Sequence, residues 1–245
     1  MSDALRAETV TIKGHDGDEI EAYLARPLGD EPRGGVVVIH HMPGYDAATK
    51  EMVRRFAAHG YAALCPNLYS REAPGAEPDD AAATVREAGG EPDERLDGDV
   101  DGAARHLNSL DGANGRIGVI GHCSGGRQTF LSACSLQIDA AVDCYGAFVV
   151  KDPPAGMPTT MKPILGLAPR LSCPLLGLFG AEDKFPSPAE TAELSAELDR
   201  LGKEHEFHTY ENAGHAFFAV DRPSYRVEAA VDGWGKIFDF FGRYL

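Results

Sequence analysis

The residues with the clearest chemical potential are Gly121-His122-Cys123-Ser124-Gly125-Gly126. They follow the apolar run at 117–120 and open a helix-spaced segment, the setting of a nucleophile elbow of the G-x-S-x-G kind with cysteine in place of serine. Glycine is needed at 121 and 125 because the turn is tight and a side chain at either position would strike neighbouring backbone. The turn lifts the Cys123 thiol above the sheet. It also aims the Ser124 amide and the helix N-terminus at the same spot, which favours a thiolate and later an oxyanion. G-x-C-x-G alone is a common pattern, and Cys65, Cys134, Cys144 and Cys173 read as structural thiols.

Context raises Cys123 above those four, because two partners follow in the order nucleophile, acid, histidine. Asp183 stands in Phe179-Gly180-Ala181-Glu182-Asp183 after one apolar run, and His215 in Ala213-Gly214-His215-Ala216-Phe217 after another. Both are C-terminal strand ends, where open α/β sheets assemble their sites. In these roles His215 takes the thiol proton and returns it to the leaving oxygen, while Asp183 fixes the imidazole tautomer and stabilises the imidazolium. Glu182 is the competing acid. A second oxyanion donor is expected in His40-His41-Met42-Pro43-Gly44, at the Met42 amide, since Pro43 has no N–H. Exposed polar runs account for His15, His59, His106, His205 and His208 without any chemistry.

Short apolar runs alternate with helix-spaced segments along the chain, which predicts an α/β fold: a mostly parallel central sheet with helices on both faces. Strands are expected at 9–13 and 19–26, as an edge hairpin, then at 35–40, 61–65, 116–120, 140–145, 174–180 and 206–210. Helices are expected at 47–59, with Val53, Phe56 and Ala57 inward, at 127–136 and at 188–201. Val100, Ala103, Ala104, Leu107 and Leu110 mark one further helical face. Residues 70–95 read as a long crossing loop with a short helix over 79–88. The last helix is expected to seal the sheet with Val227, Val231, Trp234, Phe238, Phe241 and Leu245 on one stripe. No repeat or linker divides residues 1–245, so a single domain is expected.

The 245 residues carry 23 Lys+Arg against 38 Asp+Glu, a net charge of −15. So acidic a chain is repelled by phosphate backbones and anionic lipid, and it has no basic stripe with interleaved aromatics, so neither nucleic acid nor membrane is expected as a partner. No stretch approaches the roughly 20 apolar residues of a membrane span, and the first residues lack a secretory signal. Five cysteines without CxxC spacing read as reduced thiols, hence a cytoplasmic chain. The turn after the first central strand is not G-x-G-x-x-G, which argues against a dinucleotide enzyme.

Taken together, three segments resemble the dienelactone hydrolase family, the carboxymethylenebutenolidase-like α/β-hydrolases. They are the Cys123 elbow, Cys65-Pro66-Asn67-Leu68-Tyr69-Ser70-Arg71 with Ala73-Pro74-Gly75, and Tyr210-Glu211-Asn212-Ala213-Gly214-His215-Ala216-Phe217. The resemblance spans nearly the whole chain. It implies the α/β-hydrolase fold and cleavage of a small ester or enol-lactone through a thioester, with no metal or organic cofactor. It also implies a substrate carboxylate held by arginines. Arg86 falls at about the right distance after Tyr69, Arg71 is a further candidate, and Ala219 stands where the second arginine is expected, leaving Arg222 to reach in from the loop. His41 replaces the glutamate that the family's name-giving member holds against its resting thiol, so Cys123 is expected to rest as a thiolate paired with His215. His41 and His122 flank the thiol as packing residues or substrate contacts. Adjacent strand residues face opposite sides, so His40 and His41 are not expected to share a metal. The alternatives are an esterase or thioesterase of other small substrates, or a non-catalytic thiol-based binding or redox-sensing protein on the same scaffold.

Overall fold

A computed structural model describes residues 5–29, 31, 33–157 and 159–245. Strand β1 (Leu5–Lys13) turns through a short 3-10 segment at His15–Gly17 into β2 (Glu19–Pro27), the expected antiparallel hairpin at one edge. There follow β3 (Arg33–Ile39), α1 (Ala47–Ala58), β4 (Ala62–Pro66), α2 (Pro78–Glu87), α3 (Asp93–Asn108), β5 (Ala113–His122) and α4 (Ser124–Ser135). The chain ends with β6 (Ala140–Cys144), β7 (Leu175–Gly180), α5 (Pro188–Arg200), β8 (His205–Tyr210) and α6 (Val227–Tyr244). All eight strands form one sheet in the order β1-β2-β4-β3-β5-β6-β7-β8, parallel from β4 onward. Among the described residues no helix is long and apolar enough to cross a membrane.

The strand order reverses at β3: the chain runs outward to β4, then returns to the far side of β3 as β5. Connections leave in opposite directions there and open a crevice at the carboxyl ends of β3 and β5. Both faces of the sheet are covered, so the central strands are continuously apolar. Alternation sends Val37 and Ile39 to the side of α2–α5, and Val36 and Val38 to the side of α1 and α6.

Two expectations change. Within residues 70–95 the expected short helix is present as α2, but the crossing loop is shorter than expected because α3 already begins at Asp93. Their glycines and prolines punctuate rather than break. Pro78 lies in a first turn, Gly89 and Gly90 (φ +92° and +99°) follow a helix end, and Pro92 precedes the next start. The second correction concerns α6. Its buried face is Ala229, Ala230, Gly233, Ile237, Phe240 and Phe241, whereas Val227 and Val231 point to solvent at 61% and 65% exposure. The helix approaches too closely for large side chains at its start, since a Cβ on Gly233 would stand 2.5 Å from the Phe218 ring. Trp234 and Phe238 flank this face half-buried.

That register is testable by urea denaturation. Ile237→Ala is expected to destabilise by about 2–5 kcal/mol, and Val231→Ala to stay within about 0.5 kcal/mol of the parent. Equal losses would mean the helix is rotated from the orientation described.

Candidate active site

Cys123 sits at φ 58° and ψ −121°, a left-handed conformation that costs a non-glycine residue about 1–3 kcal/mol. Two hydrogen bonds hold it, from the Cys123 amide to the Cys144 carbonyl (3.0 Å) and from the Gly126 amide to the Cys123 carbonyl (3.0 Å). The flanking glycines are steric necessities. A Cβ on Gly121 would lie 2.1 Å from the Gly125 carbonyl oxygen, and one on Gly125 would lie 2.5 Å from that of Ile39. α4 begins directly at Ser124, three residues earlier than its apolar spacing indicates, because the elbow's own residues form the first turn.

The acid and the histidine come from the loops after β7 and β8, which are tied together by backbone. The Ala181 amide donates to the Tyr210 carbonyl (3.0 Å) and the Glu182 amide to that of Ala213 (2.9 Å). Asp183 is buried, with Oδ1 accepting from the Phe185 amide (2.9 Å) and Oδ2 bonded to His215 Nδ1 (2.9 Å). Glu182 is exposed and makes no such bond among the described residues. Burial by itself would lower the His215 pKa, but the Asp183 bond and then the neighbouring Cys123 thiol outweigh it and push the imidazole up to about 10.

Met42 lies in the turn after β3, at the same end of the sheet. Its carbonyl accepts from the Tyr69 hydroxyl (3.2 Å), which pins the turn. Among the described residues neither the Met42 amide nor the Ser124 amide donates to a protein acceptor, so both can serve an incoming oxygen.

Cys123 opens into a cavity of about 340 Å³ between α1, α6 and the loop at 216–224. His41, His122 and Arg222 line it. His41 is not free, since its Nε2 bonds Asp46 Oδ2 at 2.8 Å while Oδ1 of the same carboxylate caps α1 at the Thr49 amide (2.7 Å). The Asp46 carboxyl stays at about 2: burial would raise it, but the His41 and Thr49 bonds prevail. His122 is 5% exposed and lies edge-on to Tyr145 and Phe218. Burial, with a smaller contribution from the His41 charge, depresses it to about 3, so its ring is neutral. His40 is fully engaged, with Nδ1 donating to the His41 carbonyl (3.0 Å) and Nε2 accepting from the Leu68 amide (3.2 Å). Among the described residues no three His, Cys, Asp or Glu side chains are grouped to hold a metal ion.

One arginine expected at the substrate stands elsewhere. Arg71 forms a bidentate pair with buried Asp99 (2.7 and 2.8 Å) and a further bond to Asp18 (2.8 Å), tying the segment after β4 to α3 and the 3-10 turn. Arg86 is exposed on α2 and outside the cavity lining, but its charge reaches Tyr69, whose hydroxyl bonds the Met42 carbonyl. Pattern reading missed Tyr145, Phe218, Trp234 and Arg55 as cavity walls. Position after the end of β6 could have flagged Tyr145. Trp234 reads only as core from its helical spacing.

A nucleophile elbow on a mostly parallel eight-stranded sheet, with acid and histidine on later loops, defines an α/β-hydrolase. The model of the dienelactone hydrolase family matches residues 20–245, and the chain belongs to that family. It is 35% identical to a Methylorubrum extorquens protein named "Putative carboxymethylenebutenolidase", over 99% of this chain and 83% of that one. It is 30% identical to the carboxymethylenebutenolidase of Pseudomonas putida, over 95% of each. The crystal structure "Putative Dienelactone Hydrolase from Klebsiella pneumoniae subsp. pneumoniae MGH 78578" superposes with a TM-score of 0.87 at 30% identity, over 98% of this chain and 100% of that one. The chain is accordingly a dienelactone hydrolase-like enzyme acting on ester or lactone bonds.

Because the folded-state pKa of His215 lies above its ordinary 6.5, the stability its protonated form contributes is whole below about 6.5 and is lost as the pH climbs through about 10. NMR titration of the imidazole should show its transition well above neutrality, falling markedly in Asp183→Asn. An unchanged transition in that variant would remove Asp183 as the cause.

Proposed function

We propose that the chain hydrolyses a small ester or enol-lactone through Cys123, His215 and Asp183. The observation that carries this reading is the 2.9 Å bond between Asp183 and His215, set beside a thiol that an elbow aims into a cavity. With the proton on His215, the Cys123 thiolate attacks the acyl carbon, forming a C–S bond. The carbonyl electrons move onto oxygen, which accepts from the Met42 and Ser124 amides. As the C–O bond breaks, His215 protonates the leaving oxygen and a thioester remains. Imidazole then takes a proton from water, the hydroxide attacks the thioester, and the C–S bond breaks. The acid leaves, and thiolate and imidazolium are restored. Asp183 holds the tautomer throughout. The cycle requires neither metal nor organic cofactor.

Arg222 and His122 supply the substrate contacts in this reading, and His41 orders the turn that carries Met42 by bonding Asp46. A reducing, cytoplasmic compartment suits an enzyme whose reagent is a thiol and whose other four cysteines are free and buried.

Intact-mass spectrometry after brief mixing with a panel of lactones and esters tests the reading. The wild type should gain one acyl mass, and Cys123→Ala should gain none. An adduct of equal yield on Cys123→Ala would remove Cys123 as nucleophile.

A further inference from the structure

The cavity beside Cys123 is shaped for more than the bond that is cut. One wall is aromatic: the His122 ring lies 5.2 Å from Phe218 and 6.4 Å from Trp234, and Tyr145 lies 5.8 Å from His122 and 5.1 Å from His215. These rings are fixed. Tyr145, Phe218 and His122 are buried, and Trp234 is braced by Phe56, Phe238 and the Arg55 guanidinium 4.5 Å above it. Small residues, Ala48, Ala216 and Ala219, also line the cavity. Ala219 is the position at which the sequence resemblance led us to expect an arginine, and its single methyl leaves that space open. At about 340 Å³ the cavity falls in the range of small-molecule pockets, about 300–1,000 Å³, and exceeds what an acetyl or methyl group fills.

Its charges also bear on the occupant. Arg55 and Arg222 line the cavity, but so do Glu51 and Asp221, two against two. Arg222 stands 3.7 Å from Asp221, and the Arg55 guanidinium is turned onto Trp234. His122 is neutral, and its buried Nε2 has no hydrogen-bond partner among the described residues. A balanced rim over an aromatic wall offers an anion little net attraction, whereas a flat neutral ring can pair with the ring edges and faces that the wall presents.

We propose that the preferred substrate carries a neutral aromatic limb, seated against His122, Phe218 and Trp234 in the space that Ala219 leaves, with the scissile carbonyl at Cys123. This rests on the reading that Cys123 performs the hydrolysis, and it adds the class of ester.

Acid release in a pH-stat separates the two claims. Benzyl acetate is compared with ethyl acetate, and methyl 3-phenylpropanoate with methyl butanoate, pairs of similar intrinsic reactivity that place the ring on either side of the bond. The monomethyl ester of succinic acid supplies an anionic limb. At least one ring-bearing ester should exceed its ringless counterpart about tenfold or more in kcat/KM. Ala219→Leu, which fills the cavity from a loop, should bring that ratio down toward one, and Trp234→Ala should reduce it too. Cys123-dependent turnover with ratios near one in both pairs, or preference for the succinate ester, overturns the aromatic limb while leaving the nucleophile intact. Turnover persisting in Cys123→Ala, or absent for all five esters, overturns both.

Discussion

The site depends on how closely three stretches of backbone meet at the elbow. The end of β5, the start of α4 and the end of β3 pack so tightly that Gly121 and Gly125 have no room for a Cβ, each facing a carbonyl oxygen. Gly126 is held in the same way, its missing Cβ occupied by the Asp143 carboxylate 2.3 Å from where that atom would lie. Within this contact Cys123 is forced to φ 58°, and two backbone hydrogen bonds keep it there. Relaxing the turn would lower the thiol into the sheet and carry the Ser124 amide away from it. The strain at Cys123 is thus a condition for exposing its thiol, over-determined by its surroundings in the manner of strained functional residues.

The remainder of the site is brought to that fixed point by the topology. β7 and β8 continue the parallel sheet outward from β6, so their C-terminal loops arrive on the same edge as the elbow. Backbone bonds between the two loops remove the freedom that would otherwise separate Asp183 from His215. Burial of Asp183 concentrates its effect, since a carboxylate held away from water interacts strongly with the one imidazole it touches. On the opposite side His41 and Asp46 hold the β3 turn, and Tyr69 pins it through the Met42 carbonyl. Rigid elements therefore surround the thiol on every side that carries a named role, which is what positioning within a fraction of an ångström demands.

Much of this was legible in the residues. Short apolar runs with glycine or proline punctuation located the strands, because burial on both faces leaves no polar alternation to confuse the pattern. The order Cys123, Asp183, His215 was legible because each follows such a run. Failures came where pairing across long sequence separation decides. Arg71 is taken by Asp99 and Asp18, neither of which its neighbours in sequence announce. In α6 the apolar residues are too many to define one stripe, and the contact of Gly233 with Phe218 rather than hydrophobicity sets the rotation. The same rotation makes Trp234 a cavity wall, and with Tyr145 and Phe218 it turns what reads as core into the lining of a cavity.

The central claim is that the Cys123 thiol works as one unit with His215, the imidazole that Asp183 holds. Its most direct test is the rate of alkylation of Cys123 by iodoacetamide at neutral pH in the wild type and in His215→Ala, read by intact mass. The account predicts modification at least about tenfold slower in His215→Ala, as for a thiol that has lost its basic partner. Equal rates in the two proteins would contradict it.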